Sequence, residues 1–285
     1  MSQLEVADLA ELLGSSWPDN SGIILYGSSL FEPVNVVNDI DVVVLVPYAC
    51  RRRLIKTYKD KEIHINVLSS DVFLKDLAEA RYGEYYLNKV MNPYCPLNQS
   101  AAIDEIATMV KKHRALLTFS LAYSVARKLS VHDIVRIATL MRVFQFPHYL
   151  GPAITAFSNT SSRMFIDLMI QYRQAVEALS VEGILRQETP EEFSLCKSPE
   201  SHELTEIWER MTLAIPNYWR TFAEIHPSGW SDVNAYLKRH ATKLQDTLKR
   251  HPEGLKELFN NSVLFDTAEH WFESRIAGGK RKRHG

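Results

Sequence analysis

Two aspartates at the start of a strongly apolar strand constrain this chain more than any other feature. Asp39 and Asp41 open the run DIDVVVLV at residues 39–46. Residues i and i+2 of a strand project from the same face, so the two carboxylates are expected side by side. The nearly continuous valine, isoleucine and leucine that follow predict a central strand buried on both faces.

A glycine–serine turn lies shortly before the aspartates. It follows a short apolar strand and contains Gly27, Ser28 and Ser29, which we expect to hold a triphosphate. Glycine lets the backbone approach a phosphate, and serine adds a hydroxyl donor. Mg²⁺ prefers oxygen ligands, commonly one or two carboxylates together with substrate phosphates. The alternative is an ordinary turn with two strand-capping acids, which would repel each other and lose solvation.

Length, composition and charge bound the remaining possibilities. The chain has 285 residues, 46% hydrophobic and 24% charged, which suits a globular protein of one large domain or two ordinary ones. The net charge of −1 supplies no global attraction to nucleic acid or membrane. The three cysteines are far apart and predict neither a disulfide framework nor a metal site. With no secretory signal and no long apolar run, the expected location is cytoplasmic.

Strands and helices are predicted to alternate in the first third of the chain. Residues 51–56 form a polar segment, and EIHINVL at 62–68 alternates as a half-buried strand. The predicted elements are a helix at Gln3–Leu13, strands at Ile23–Tyr26, Ile40–Val46 and Glu62–Leu68, and helices at Ser70–Ala80 and Tyr82–Met91.

After Pro96 the pattern becomes helical, and no strand is predicted from Ala101 onward. The predicted helices are Ala101–Lys128, Val131–Phe146, 163–179, 202–225, 231–249, 252–260 and 266–275. The predicted fold class is therefore α+β, a small mixed sheet with flanking helices followed by an all-helical C-terminal domain. The expected domains are 1–98 and 99–277, with a flexible basic tail at 278–285.

The turn and the aspartates together resemble a known signature. Gly27-Ser28, a loop, and then Asn38-Asp39-Ile40-Asp41-Val42 is similar to the pattern of the DNA polymerase β-like nucleotidyltransferases, a Gly-Ser turn followed some ten residues later by Asp-x-Asp on a strand. Asn38 stands where the family usually has serine. The resemblance covers mainly residues 20–98. It implies a catalytic domain at 1–98, an acceptor-binding domain at 99–277, and Mg²⁺- or Mn²⁺-dependent transfer of a nucleoside monophosphate from an NTP such as ATP.

The third carboxylate of that family is where this sequence departs. Family members place it on the next central strand, and the best match here, Ile63 to Leu68, puts His64 at the position. His64 acts as base or ligand, or Glu62 serves as the third acid and metal ligand, or the chemistry needs no third acid. A hydroxyl acceptor benefits from a base, whereas a phosphate or carboxylate acceptor is already ionised. The plain alternative is a hydrogen-bonded histidine on a half-buried strand.

Basic residues and the acceptor complete the hypothesis. Lys89 lies where several family members have a basic residue near the nucleotide, and Arg51, Arg52, Arg53 and Lys56 either neutralise the triphosphate or form a solvated loop. A small-molecule acceptor, such as an antibiotic-like metabolite, a sugar or a phosphate-bearing metabolite, is favoured because the net charge is near zero and no continuous basic stripe appears. The alternatives are a toxin-like enzyme acting on tRNA or protein, and a non-catalytic nucleotide-binding regulator in which His64 marks a lost acid.

Overall fold

A five-stranded mixed sheet forms the centre of the N-terminal part of the molecule. The computed structural model describes residues 13, 17, 18, 20–27, 39–58, 60–92, 94–98, 100–160 and 163–259. The strands are β1 (Gly22–Tyr26), β2 (Asp39–Val46), β3 (Arg51–Tyr58), β4 (Lys61–Ser69) and β5 (Cys95–Pro96). Their order across the sheet is β3-β4-β2-β1-β5, with β2 and β4 parallel and the other neighbours antiparallel.

Strand β2 lies in the middle of this sheet and is buried along most of its length, as its apolar sequence predicts. Strand β4 was expected to be half-buried, and this is wrong, because β2 and β3 flank it and it is buried from Ile65 to Ser69. The polar segment predicted at 51–56 is instead strand β3 at the sheet edge. Its three consecutive arginines conceal the strand pattern, since an edge strand tolerates charge on its exposed side.

The two faces of the sheet are covered differently. Alternate residues of β1, β2 and β4, such as Val42 and Ile65, pack on one face with Leu13 and Trp17. On the opposite face Val43 and Leu45 pack against helical side chains that include Phe73 and Ile103. This second face also carries Asp39 and Asp41, which lie at the beginning of β2 and stay partly exposed.

Most helices match predicted segments with modest differences in length, whereas the helix at Leu150–Ser158 was not predicted. They are α1 (Ser70–Glu79), α2 (Asn88–Met91), α3 (Ala101–Ala122), α4 (Val131–Gln145), α5 (Leu150–Ser158), α6 (Arg163–Val181), α7 (Ser201–Ile225), α8 (Trp230–Arg250) and α9 (Pro252–Phe259), with a 3₁₀ turn at Pro147–Tyr149. The helices predicted at Gln3–Leu13 and 266–275 lie outside the described residues, apart from Leu13.

The segment 82–91 was predicted as one helix, and the structure corrects this prediction. Residues 81–87 form turns, and only Asn88–Met91 are helical. Gly83 and Glu84 have φ angles of 66° and 62°, a left-handed conformation that interrupts a helix. Helix α3 also ends at Ala122 rather than at the predicted Lys128.

The C-terminal part contains a small sheet that the sequence did not predict. Strands β6 (Lys128–Ser130), β7 (Leu185–Gln187) and β8 (Glu192–Leu195) pair antiparallel in the order β6-β8-β7. The expectation of no strand after Ala101 is therefore wrong, since strands of three or four residues are too short to show alternation. The mixed α+β fold class is confirmed.

The chain divides into two compact units, each of which combines two segments that are separated in the sequence. One unit comprises residues 1–111 and 210–235, and the other comprises 112–209 and 236–285. The domains predicted at 1–98, 99–277 and 278–285 are continuous segments, and their assignment to catalysis, acceptor binding and a tail remains a prediction. Across the described residues, no helix has the length and apolar character needed to cross a membrane.

The C-terminal half of α7 is fixed tightly to the α1–α2 connection within the first unit. Arg210 donates a hydrogen bond to the carbonyl of Asp76 at 2.8 Å and lies 3.7 Å from the Glu84 carboxylate. A Cβ atom at Gly83 would lie 2.0 Å from the backbone nitrogen of Tyr218, so glycine is required for this close approach.

Candidate functional site

The two aspartates lie together at the open end of the sheet. Asp39 and Asp41 start β2 on the same face, and 41% and 32% of their side-chain surfaces are exposed. The parallel pairing of β2 with β4 places Glu62 opposite Asp39 and His64 opposite Asp41. Four residues that the sequence analysis singled out therefore converge on one patch of the sheet.

His64 lies at the centre of this patch. Its Nδ1 is 3.4 Å from Asp39 Oδ2 and 3.9 Å from Asp41 Oδ1, and its Nε2 is 2.9 Å from Glu62 Oε2. The imidazole therefore joins the two aspartates of β2 to the glutamate of its own strand. Glu62 is largely exposed, and its carboxylate is directed at His64.

Gly27 borders the second aspartate. Its φ angle is 81°, and a Cβ atom added to it would lie 3.0 Å from Asp41 Oδ2. Both the backbone conformation and the lack of space favour glycine at this position. A side chain at position 27 would therefore press against an Asp41 oxygen. Ser28, Ser29 and Asn38 lie outside the described residues, so their predicted contributions remain predictions.

A short hydrogen-bond chain holds Asp41 from the other side. The Asn66 amide donates to the Tyr26 hydroxyl at 3.0 Å, and that hydroxyl donates to Asp41 Oδ1 at 3.4 Å. Tyr26 is also the register partner of Asp41 on the antiparallel strand β1. The carboxylate orientation is consequently set by two neighbouring strands.

Positive charge surrounds the aspartates. The Lys89 ammonium lies 4.7 Å from the Tyr26 ring centroid and 4.2 Å from that of Tyr85, in a nearly buried position. Burial raises the pKa of Asp41, while the positive charge of Lys89 opposes this shift and the negative charge of Asp39 adds to it. A further positive charge near Asp41 is therefore electrostatically favourable.

Arg53 supplies a second positive charge from strand β3. Its Nη1 is 3.2 Å from Nε2 of His226, whose ring stacks on Phe222 with a centroid distance of 3.9 Å. Burial, and secondarily the charge of Arg53, lowers the pKa of His226 to about 4. The imidazole is neutral near pH 7 and accepts a hydrogen bond from the arginine, which orients the guanidinium.

The structure separates the basic residues that were predicted together. Arg51 and Arg53 share the face of β3 that carries the site, because Arg53 pairs with Asn66 and Ile55 with His64. Arg52 and Lys56 alternate to the opposite face. Sequence reasoning missed the contributions of Tyr26 and His226, and His226 lies too far along the chain for any local pattern to connect it with Arg53.

The donor set at this patch is compatible with a divalent cation. Asp39 and Asp41 present two carboxylates on one face, and the backbone of Gly27 borders Asp41. Across the described residues, no group of three or more histidine, cysteine, aspartate or glutamate side chains is arranged so that it could hold a metal ion. Mg²⁺ ordinarily uses one or two protein carboxylates and completes its shell with substrate and water oxygens, and Asp39 with Asp41 is such a pair.

Known proteins share little sequence similarity with this chain. No protein-family model matches it, and no curated protein matches it either. Among solved structures it is similar to a nucleotidyltransferase-like protein from Exiguobacterium sibiricum 255-15, with 13% sequence identity and a TM-score of 0.30. That match covers 98% of this chain and 92% of the other. At this level of similarity the function must be argued from the site itself.

Proposed function

We propose that this chain transfers a nucleoside monophosphate from an NTP to a small-molecule acceptor, with Mg²⁺ or Mn²⁺ and with release of pyrophosphate. The observation that supports this proposal is the pair of carboxylates, Asp39 and Asp41, on one face of β2, with the backbone of Gly27 next to Asp41. Lys89 and Arg53 add positive charge where a triphosphate would need it.

Each residue has a distinct role in this proposal. Asp39 and Asp41 would hold the divalent cation, which when bound neutralises phosphate charge and polarises the reacting phosphoryl group. Gly27 lets a phosphate oxygen approach the turn, and Ser28 and Ser29 would donate hydrogen bonds to it. Lys89 binds a phosphate oxygen, and its buried position between two tyrosine rings restricts its movement.

His64 handles the proton or orients the carboxylates, according to the acceptor. Its Nδ1 faces both aspartates, and Glu62 at 2.9 Å from Nε2 fixes the ring orientation. A hydroxyl acceptor would transfer its proton to a neutral imidazole nitrogen, whereas a phosphate or carboxylate acceptor has no proton to give up. Glu62 as a third metal ligand is the competing assignment, and it would require the glutamate to leave His64.

A nucleotide-binding protein without catalytic activity is the second candidate. The observation in its favour is His64, because an imidazole 3.4 Å from Asp39 and 3.9 Å from Asp41 occupies the place where a catalytic site would have a third carboxylate. A nucleotide would then be held by Gly27, Lys89 and Arg53 without transfer. Residues 99–277 would bind an acceptor only in the catalytic proposal.

Thermal shift and pyrophosphate release test the two candidates. We expect ATP or another NTP with Mn²⁺ or Mg²⁺ to raise the Tm of the protein, and the double variant Asp39→Asn, Asp41→Asn to lose this rise. Asp71→Asn, an exposed aspartate on α1, is the control for loss of negative charge. Pyrophosphate release is then measured with small alcohols, phosphorylated metabolites, tRNA and protein acceptors.

The possible results distinguish the catalytic candidate from the non-catalytic one. Release that depends on a small molecule supports the proposal, and release that depends only on tRNA or protein reassigns the acceptor. A thermal shift without release, across all acceptors, supports the non-catalytic candidate. No shift with any of the common NTPs and either metal contradicts both.

A further inference from the structure

A second polar groove lies within the same unit, away from the aspartates. It is about 600 Å³ in volume and is bordered by the edge of β3, the end of α1 and the C-terminal half of α7. Sites for small molecules typically occupy some 300–1,000 Å³, so the groove is large enough for one metabolite. The proposed roles of Asp39, Asp41 and His64 do not use it.

Three arginines line this groove. Arg81 forms no ion pair with any described residue, and Arg220 donates to the side-chain oxygen of Asn217 at 3.3 Å. Arg51 lies 4.8 Å from the ring centroid of Tyr82 and forms an ion pair with Glu224 at 3.3 Å. With Glu79 and Glu224 as the acidic lining residues, three positive charges face two negative ones. This charge excess, together with the two guanidinium groups that have no carboxylate partner among the described residues, favours an anionic ligand.

The walls of the groove are fixed by buried contacts. The backbone nitrogen of Tyr82 donates to Asp76 Oδ1 at 2.9 Å, and the amide of Asn217 donates to the carbonyl of Ala80 at 3.0 Å. The glycine contact at Gly83 brings the same loop against the α7 backbone. The arginines therefore extend from a preformed scaffold, which reduces the entropic cost of binding.

The groove lies on the sheet face that carries the proposed nucleotide site. Arg51 pairs with Leu68 and Ile55 pairs with His64, so Arg51 is four residues along β3 from the level of His64. At about 3.3 Å per residue this separation is roughly 13 Å. Helix α7 links the two places, since Thr221 and Glu224 line the groove and the carbonyl of Ile225 is 3.5 Å from Arg53. A ligand that contacts both places must therefore be extended over at least this distance.

We infer that this groove binds the phosphate group of a small phosphorylated acceptor whose other end extends toward Asp39 and Asp41. The inference rests on the proposed function for its acceptor role. A phosphate monoester carries up to two negative charges and three terminal oxygens, which match several guanidinium groups better than a single carboxylate does. A groove of metabolite size with three arginines favours a small phosphorylated compound over RNA, whose backbone needs a continuous basic surface.

Direct binding without nucleotide tests the inference. Glucose 1-phosphate, ribose 5-phosphate, glycerol 3-phosphate and inorganic phosphate are titrated calorimetrically into the full chain, beside glucose, ribose, glycerol and gluconate. We expect at least one phosphorylated compound to bind, with an affinity about tenfold or more above that of its parent alcohol. The double variant Arg81→Gln, Arg220→Gln is expected to weaken this binding by about tenfold or more. A control with the same charge change is Lys238→Gln, Arg239→Gln on the exposed part of α8, and it is expected to retain the affinity.

Four outcomes would overturn the assignment of the groove to a phosphate group. Phosphorylated compounds that bind no better than their alcohols, or equal binding by the arginine variant, remove the phosphate site. Stronger binding of gluconate makes it a carboxylate site, and arginine-dependent binding of single-stranded RNA makes it a macromolecular surface. The NTP thermal shift reports separately on the proposed function, so phosphate binding without that shift retains the groove and rejects the nucleotidyltransferase assignment.

Discussion

His64 lies directly opposite Asp41 on the neighbouring parallel strand, with its Nδ1 3.9 Å from the carboxylate oxygen Oδ1. The same nitrogen is 3.4 Å from Asp39. A side chain at position 64 therefore reaches both aspartates, which places it where a third acid would complete a set of three carboxylates. In the proposed function, the residue at this position would determine how strongly the site holds a cation before a nucleotide binds.

Substitution of His64 by aspartate is expected to strengthen cation binding in the absence of nucleotide. The new carboxylate adds an oxygen ligand and a negative charge beside Asp39 and Asp41, and the Mn²⁺ Kd should fall by about tenfold or more. Mn²⁺ titration followed by electron paramagnetic resonance measures this change. His202→Asp, on an exposed position of α7, adds the same charge elsewhere and is expected to leave the Kd unchanged. Equal Mn²⁺ affinity in His64→Asp and wild type contradicts the prediction.

Substitution of Gly27 by alanine is expected to reduce both stability and nucleotide binding. A left-handed conformation costs a non-glycine residue about 1–2 kcal/mol, and the new Cβ would lie 3.0 Å from Asp41 Oδ2. Gly183→Ala is a matched control, because Gly183 has a φ angle of 72° and its new Cβ would have no heavy atom of another segment within 4 Å. Urea unfolding should show a loss in both variants and the larger loss in Gly27→Ala, whereas the NTP thermal shift should fall in Gly27→Ala alone. Unchanged NTP binding in Gly27→Ala would separate Gly27 from the site.

Substitution of Lys89 by methionine is expected to raise the NTP Kd by about tenfold, because one charged contact to phosphate is lost. Lys111→Met is the control: Lys111 is also buried, donates to the carbonyl of Val90, and has its pKa lowered to about 7 by burial. It makes no described contact with Asp39 or Asp41, so its variant should retain NTP affinity. Isothermal titration with a non-hydrolysable NTP gives both values, and equal losses in the two variants would indicate a general packing effect.

Substitution of Asp76 by asparagine is expected to stabilise the protein, relative to the wild type, more at neutral pH than at acid pH. Burial raises the pKa of Asp76 to about 6 from an ordinary 3.8, so the wild type loses stability as pH rises through this range. The difference in unfolding free energy between variant and wild type should increase by about 2 kcal/mol between about pH 4.5 and 7.5. This figure follows from about 1.36 kcal/mol for each unit by which the pKa is raised. Urea unfolding at both pH values measures it, with exposed Asp71→Asn controlling for the lost charge. A difference independent of pH would show that Asp76 is ionised without penalty in the folded protein.

Long periodic segments allowed most of the fold to be predicted from the sequence. The spacing of apolar residues in the sequence predicts strand β2 and most of the helices from α4 to α9. Strand β3 was missed because its arginines alternate between a solvent-facing side and the site, and its pairing with β4 is a tertiary property. The turns at 81–87 depend on contacts of Gly83 with α7, a helix from a remote part of the chain, and no local signal reports them.

Features of the candidate site that lie along one strand were predictable from the sequence, whereas contacts between separate segments were not. The i, i+2 spacing of Asp39 and Asp41 sets a shared face, and a parallel neighbour brings His64 beside them. The partners that orient these groups come from other segments, as Tyr26 and His226 do. The sequence also suggested one basic segment at 51–56, whereas strand alternation divides it between two faces of the sheet.

The division of the first unit into residues 1–111 and 210–235 has a consequence for how the protein is made. On a ribosome that adds about 5–20 residues per second, all five strands of the large sheet emerge well before the part of α7 that packs on Gly83 and Asp76. Residues 112–209, which belong to the other unit, are synthesised in the interval. The segment around Asp76 and Gly83 therefore lacks its packing partner until a helix is translated several seconds later, and during this interval the exposed segment is open to aggregation.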